Sequence, residues 1–114
     1  MLRREVRKYL YDIKLACELL QQFTAAKTLA EYQHDALLRS GVERQLGIVG
    51  EALSQAIRLE PGIAARISST SDIIGFRNRI IHAYADLSAG LVWNILQTDL
   101  PALLREVEAL LAVP

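Results

Sequence analysis

The apolar residues of this chain recur every three or four positions over four separate segments, and this spacing constrains the fold more than any other feature. A period near 3.6 places apolar residues on one face of an α-helix, whereas alternation at every second residue indicates a β-strand. No segment shows strand-type alternation. The sequence therefore predicts an all-α fold, most simply an antiparallel bundle of four or five helices with short connections.

The first half of the chain should form two long helices. Helix one is predicted from about residue 2 to residue 23, and helix two starts at residues 31–35 and ends before Pro61, because proline stops a helix. The residues from 24 to 32 break the pattern and are read as a connector. The two apolar stripes are Val6, Leu10, Ile13, Cys17, Leu20 and Phe23, then Leu38, Val42, Leu46, Val49, Leu53 and Ile57.

Three glycines interrupt helix two, at Gly41, Gly47 and Gly50. Each costs up to about 1 kcal/mol relative to alanine in a helix. Because small residues permit close approach of another helix, we expect tight helix packing along this segment.

The second half should form two more helices. Helix three is predicted to begin at the cluster Ser68–Ser71, whose hydroxyls are good N-caps, with Asp72 at the positive end of the helix dipole. Helix four should begin near Asp86 or Ser88. Pro101 falls within it and should either kink the helix or mark the first turn of a new segment.

Bulk composition sets further limits. The chain has 114 residues, which fits one domain over 1–114. It is 52% hydrophobic, high for so short a chain, so part of the apolar surface should meet another chain. Net charge is zero, which argues against a general nucleic-acid coat protein. No apolar run spans a bilayer, so we expect a cytoplasmic protein without a membrane segment.

Metal and disulfide chemistry find little support in the sequence. Cys17 is the only cysteine, so an intramolecular disulfide is impossible, and its apolar surroundings predict a core residue. His34 and His82 are the only histidines, and no Cys/His zinc pattern exists. We therefore expect no metal site and no cofactor.

Helix three carries an unusual polar run from Arg77 to Tyr84 in an otherwise apolar segment. Arginine binds phosphate through a planar fork of donors, and histidine exchanges a proton near neutral pH. This pair suits metal-free cleavage of a phosphodiester, and Glu51 could orient either side chain. A solvated, charged helix face is the plain alternative, because Arg77 and His82 lie about 140° apart on a helix. A two-fold interface could bring them together from both chains.

The residues Arg77, Asn78, Ile81, His82 and Tyr84 resemble the RxxxxHxY signature of HepT-like proteins (the DUF86 family) of the HEPN superfamily. Further segments resemble the family in order along the chain. They are Tyr11–Ile13 in helix one, Val42–Ala52 in helix two, and Val92–Trp93 followed by Asp99–Pro101 in helix four. One departure is Ser71–Ile73, where many members have a Pro-Trp pair before the motif helix.

The resemblance implies a HEPN-like helical homodimer formed through the motif-bearing helices, with its active cleft at the interface. It implies a ribonuclease toxin that cuts RNA and is paired with an MntA-type nucleotidyltransferase antitoxin, in a possible higher hetero-oligomer. By position, Arg77 and His82 would be catalytic, with Asn78, Arg79 and Glu51 in support. The antitoxin would adenylylate Tyr84.

Two other readings remain open from the sequence. The chain could be a non-catalytic helical module that docks a nucleotidyltransferase and presents a substrate to it, with Arg77 holding an anion. It could also be a plain helical dimer whose charges are structural. Cleavage of RNA by purified protein separates these readings from a nuclease.

Overall fold

The computed structural model describes residues 2–82 and 88–112, and for residues 79–82 only the backbone is described. All regular structure in this part of the chain is helical, which confirms the predicted all-α fold. The α-helices are α1 (Arg4–Thr24), α2 (Leu29–His34), α3 (Ala36–Leu59), α4 (Thr70–His82), α5 (Ala89–Asn94) and α6 (Leu100–Leu111). A 3₁₀-helix (Pro61–Arg66) joins α3 to α4, and a π-helical turn (Ile95–Asp99) joins α5 to α6. None of these helices has the length and apolar character needed to cross a membrane.

Most of the core residues lie in α1, α3 and α6. α3 packs along α1 and α4, and α6 packs on α1. α1 and α3 run antiparallel: Phe23 at the end of α1 lies beside Gly41 near the start of α3, whereas Tyr9 in the first half of α1 lies beside Glu51. The predicted stripes are buried over most of their length, as burial of apolar area requires. The buried members are Val6, Leu10, Ile13, Cys17 and Leu20 in α1 and Val42, Leu46, Val49 and Leu53 in α3.

The connector after α1 contains a helix that the apolar pattern did not indicate. Thr28 and Glu31 form a capping box, in which each side chain accepts a hydrogen bond from the other residue's backbone N–H. This cap starts α2, which buries Tyr32 against Trp93 with ring centroids 5.6 Å apart. The capping box therefore starts a helix where the sequence had predicted an irregular connector.

The first residues of α4 and α6 agree with the sequence signals. α4 starts at Thr70, inside the predicted capping cluster, with Asp72 in its first turn. Pro101 lies in the first turn of α6, directly after the π-helical turn, where the Leu100 N–H bonds to the Ile95 carbonyl. A widened turn accommodates the proline ring, which would otherwise clash with the carbonyl of the residue four positions earlier. Pro101 therefore marks a new segment, one of the two predicted outcomes.

Candidate functional site

α4 carries residues 77–82 of the polar run that the sequence singled out. Arg77 and Asn78 lie in its second half, and His82 is its last residue. The side chains of Arg79 and His82 lie outside the described residues, and so does the whole of Tyr84. The described part of the site is therefore Arg77 with its neighbours on α3 and α4.

Two acceptors hold the Arg77 guanidinium. Its Nη2 forms an ion pair with Oε2 of Glu51 on α3, and its Nη1 donates to Oδ1 of Asn78 at 3.1 Å. The Arg77 side chain is 28% exposed and that of Glu51 is 47% exposed. Ion pairs at this exposure contribute at most about 1 kcal/mol to stability. The pair therefore fixes the direction of the guanidinium more than it stabilises the fold.

Glu51 is itself held by a second contact on α3. Its Oε1 accepts a hydrogen bond of 3.1 Å from Nε2 of Gln55. Oε1 of Gln55 in turn accepts from Nε and Nη2 of Arg58, at 3.0 Å and 2.7 Å. Spacings of four and three residues place these side chains on one helix face, which was the available sequence signal for Gln55 and Arg58. Sequence reasoning assigned neither residue to the site.

Gly50 allows α4 to approach α3 closely at Arg77. A Cβ added at Gly50 would lie 2.4 Å from Cβ and 2.9 Å from Cγ of Arg77. The predicted close packing is therefore found at Gly50. It is absent at Gly47, where an added Cβ meets nothing within 4 Å, and the prediction is wrong there because Gly47 faces an open groove.

The guanidinium retains capacity for a further acceptor. Arginine has five N–H donors, and two acceptors from Glu51 and Asn78 do not exhaust them. Nε of Arg77 is buried and has no hydrogen-bond partner among the described residues. A buried donor left unpaired costs about 1–3 kcal/mol. Rearrangement of the guanidinium around an anion with several oxygens would relieve part of that cost.

Metal-ligating side chains do not converge anywhere in the described part of the chain. No group of three or more His, Cys, Asp and Glu side chains lies close enough there to hold an ion. The chemistry that these residues offer at Arg77 is recognition of an anion by a planar cation.

Comparisons with known proteins identify the family of the chain. The family described as "Ribonuclease HepT-like" matches residues 13–110. The "Putative RNase MJ1380" of Methanocaldococcus jannaschii is 32% identical over 108 residues, which cover 95% of this chain and 98% of that protein. The "Probable ribonuclease HepT" of Thermococcus cleftensis is 30% identical over 113 residues, covering 96% and 98%. No solved structure matches the chain.

Proposed function

The chain belongs to the HepT-like ribonuclease family, and from that membership we propose that it is the metal-independent endoribonuclease toxin of a toxin–antitoxin pair. One observation carries the proposal. The guanidinium of Arg77 is held by Glu51 of α3 and Asn78 of α4, and α4 also carries His82. A fixed phosphate-binding fork and an imidazole five residues apart suit cleavage of a phosphodiester.

In the proposed reaction the RNA supplies its own nucleophile. The ribose 2′-oxygen attacks the adjacent phosphorus, a new 2′-O–P bond forms, and the P–O5′ bond breaks. His82 accepts the 2′-hydroxyl proton or donates a proton to the departing 5′-oxygen, a role worth about 10²–10⁴-fold in rate. Arg77 pairs with the phosphate oxygens as negative charge develops on them. The products are a 5′-hydroxyl and a 2′,3′-cyclic phosphate, which one water molecule hydrolyses to a 3′-phosphate by breaking the P–O2′ bond.

We propose that two copies of the chain complete the cleft. Positions 77 and 82 lie about 140° apart around α4, so one helix does not stack these side chains directly. A two-fold axis beside α4 would bring two imidazoles and two guanidinium groups into one cleft. One His82 could then act as base and the other as acid, with Asn78, Arg79 and Glu51 supporting the arginine.

A test of this proposal uses purified protein, a mixed-sequence RNA and the same sequence as DNA, all with EDTA present. We expect the RNA to be cut to ends bearing a cyclic or 3′-phosphate. The DNA should remain intact because it lacks the 2′-hydroxyl. Cleavage that needs added Mg²⁺, or that also cuts DNA, would overturn the mechanism.

The proposed partner is an MntA-type nucleotidyltransferase antitoxin that adenylylates Tyr84. Position 84 is two residues beyond His82. A nucleotide attached there would add a bulky phosphodiester anion near the catalytic residues, which would compete for Arg77 and repel the RNA backbone. Higher hetero-oligomers of toxin and antitoxin are part of the same proposal.

Intact-mass measurement of the co-expressed pair tests the modification. We expect the chain to gain one or more adenylyl groups and to lose its ribonuclease activity. The Tyr84→Phe variant should keep its original mass and remain active. An unmodified wild-type chain beside a catalytically competent antitoxin would contradict adenylylation while leaving the ribonuclease proposal untouched.

A further inference from the structure

A groove between α1 and α3 lies beside the Arg77–Glu51 pair. We call it the α1/α3 groove. Its volume is ≈ 230 Å³. Its walls include Tyr9 and Asp12 of α1 and Arg44, Ile48 and Glu51 of α3. Pockets that enclose a drug-sized ligand usually measure about 300–1,000 Å³. The α1/α3 groove is therefore better matched to one unit of a longer ligand.

Charge in the groove favours an anionic ligand. Asp12 is paired with Lys8, whose Nζ lies 3.1 Å from Oδ2, and Glu51 is paired with Arg77. Both carboxylates of the groove are therefore compensated by cations. Arg44 is exposed, and no side chain in the described ranges forms a hydrogen bond or ion pair with it. A guanidinium without an acidic partner at the groove wall is available to a phosphate.

Tyr9 gives the same groove an aromatic wall. Its ring is half-buried and packs against the core, and Nζ of Lys8 lies 5.3 Å from its centroid. An anchored ring loses little conformational entropy when a ligand binds. Every nucleobase has a π-face, so an aromatic side chain can contact any base, and a nearby cation can bind its phosphate.

We propose that the α1/α3 groove binds a nucleotide adjacent to the scissile linkage, with Tyr9 contacting the base and Arg44 a phosphate. The inference rests on the proposed ribonuclease function, which supplies RNA as the ligand. Glu51 provides the link, because it lines the groove and pairs with Arg77. Arg44 and Glu51 are seven residues apart, about 10 Å along α3, a distance that a single strand of RNA spans in a few nucleotides.

Binding of a 2′-O-methyl RNA of mixed sequence tests the groove without cleavage, since this probe lacks the nucleophile. Fluorescence anisotropy at several salt concentrations gives Kd and its salt dependence. We expect Tyr9→Leu to weaken binding about tenfold and Tyr9→Phe to bind like the wild type. Arg44→Gln should weaken binding and reduce the slope of log K against log salt by about 0.7, the value for one phosphate contact on a single strand.

Matched controls lie outside the groove. Tyr11 is an exposed tyrosine two residues from Tyr9, and Arg66 is an exposed arginine in the 3₁₀-helix. Tyr11→Leu and Arg66→Gln should leave both Kd and the salt slope unchanged. Because Tyr9 packs on the core, a thermal melt must first check that Tyr9→Leu is folded. Arg44 is exposed, so Arg44→Gln tests the groove independently of folding.

The two proposals fail in different ways. If the wild type cuts RNA but neither Tyr9→Leu nor Arg44→Gln changes Kd, the groove proposal is overturned and the ribonuclease proposal stands. If the wild type binds the probe with the expected dependence on Tyr9 and Arg44 but cuts no RNA, the groove stands as an RNA-binding site, and the ribonuclease proposal falls together with the placement beside a scissile linkage. Absence of any binding to the probe by the wild type also overturns the groove proposal.

Discussion

Gly50 of α3 and Arg77 of α4 pack so closely that a Cβ on Gly50 would lie 2.4 Å from the Cβ of Arg77. The clash would involve the first side-chain atom of Arg77, which cannot move away without its backbone. Glycine at position 50 therefore determines how near the proposed phosphate-binding arginine lies to Glu51, the next residue along α3.

Replacing Gly50 by alanine should separate the two helices. Overpacking costs about 1–3 kcal/mol, and the better helix propensity of alanine returns up to about 1 kcal/mol. We expect Gly50→Ala to lower the free energy of unfolding, measured by urea denaturation. Gly47→Ala is the matched control and should raise stability by up to about 1 kcal/mol, because its Cβ meets nothing within 4 Å. Equal effects of the two variants would contradict the close contact.

Removing the charge of Glu51 should slow RNA cleavage. In Glu51→Gln the guanidinium of Arg77 loses its ionic partner, and the uncharged amide oxygen that remains is a weaker acceptor. A small misplacement of a catalytic group costs up to about 10²-fold, so we expect roughly a tenfold fall in the single-turnover rate. Stability should change by less than about 1 kcal/mol, since the pair is partly exposed.

A double-mutant cycle separates positioning from a general structural effect. In an Arg77→Ala background the Glu51→Gln change should have no further effect on the rate, because the group that Glu51 orients is gone. Glu60→Gln, in the turn after α3, serves as the acidic control and should cleave at the wild-type rate. An undiminished rate in Glu51→Gln alone would remove Glu51 from the site.

Alkaline pH should destabilise the protein through Cys17. Burial, with a smaller effect of the Glu18 charge, raises the pKa of the Cys17 thiol from 9.0 to about 12. The folded state then keeps its proton where the unfolded chain releases it, so stability falls as pH rises from about 9 towards about 12. The slope for this one group is at most about 1.4 kcal/mol per pH unit. Urea denaturation at several pH values should show that the free energy of unfolding falls less steeply with pH in Cys17→Ala than in the wild type.

Burial, with the Glu43 charge as a second cause, also raises the pKa of Tyr32, from 10.0 to about 12. Tyr32→Phe should therefore reduce the pH dependence of the free energy of unfolding only above about pH 10, which is the pKa of this tyrosine in the unfolded chain. A stability that does not change between pH 8 and pH 11 in the wild type would contradict both shifts.

Ala26, just after α1, has a left-handed backbone with φ of 58°. A residue with a Cβ is disfavoured in this region, whereas glycine adopts it freely. We expect Ala26→Gly to raise the free energy of unfolding by about 1 kcal/mol, measured by thermal or urea denaturation. Ala25→Gly, at φ of −57°, should be neutral or destabilising. A loss of stability in Ala26→Gly would show that the turn is not strained.

The sequence predicted the fold well where one physical signal dominated. The apolar stripes of α1 and α3 are buried because helix periodicity and core burial favour the same arrangement. α2 was missed because its start depends on the capping box of Thr28 and Glu31 and not on apolar spacing. Pro101 left two outcomes open, since the π-helical turn that accommodates it has no clear sequence signature.

The sequence named Arg77, Asn78 and Glu51 as candidates, but it did not give their geometry. The sequence offered Glu51 as a partner for Arg77 or His82, and the packing of α4 on α3 selects Arg77 among the described side chains. Gly47 and Gly50 look alike in the sequence, and only the direction that each faces distinguishes an open groove from a tight contact. Tyr9 and Arg44 are far apart along the chain, so their common groove depends entirely on the antiparallel pairing of α1 and α3.

The central claim is that the guanidinium of Arg77 and the imidazole of His82 act on one phosphodiester. The most direct test is the single-turnover rate of RNA cleavage in EDTA for the wild type, Arg77→Ala, His82→Ala and the double variant. Groups that act as a unit are strongly non-additive, so each single variant should lose most of the activity and the double variant should be little slower. Cleavage by His82→Ala at the wild-type rate would contradict the account.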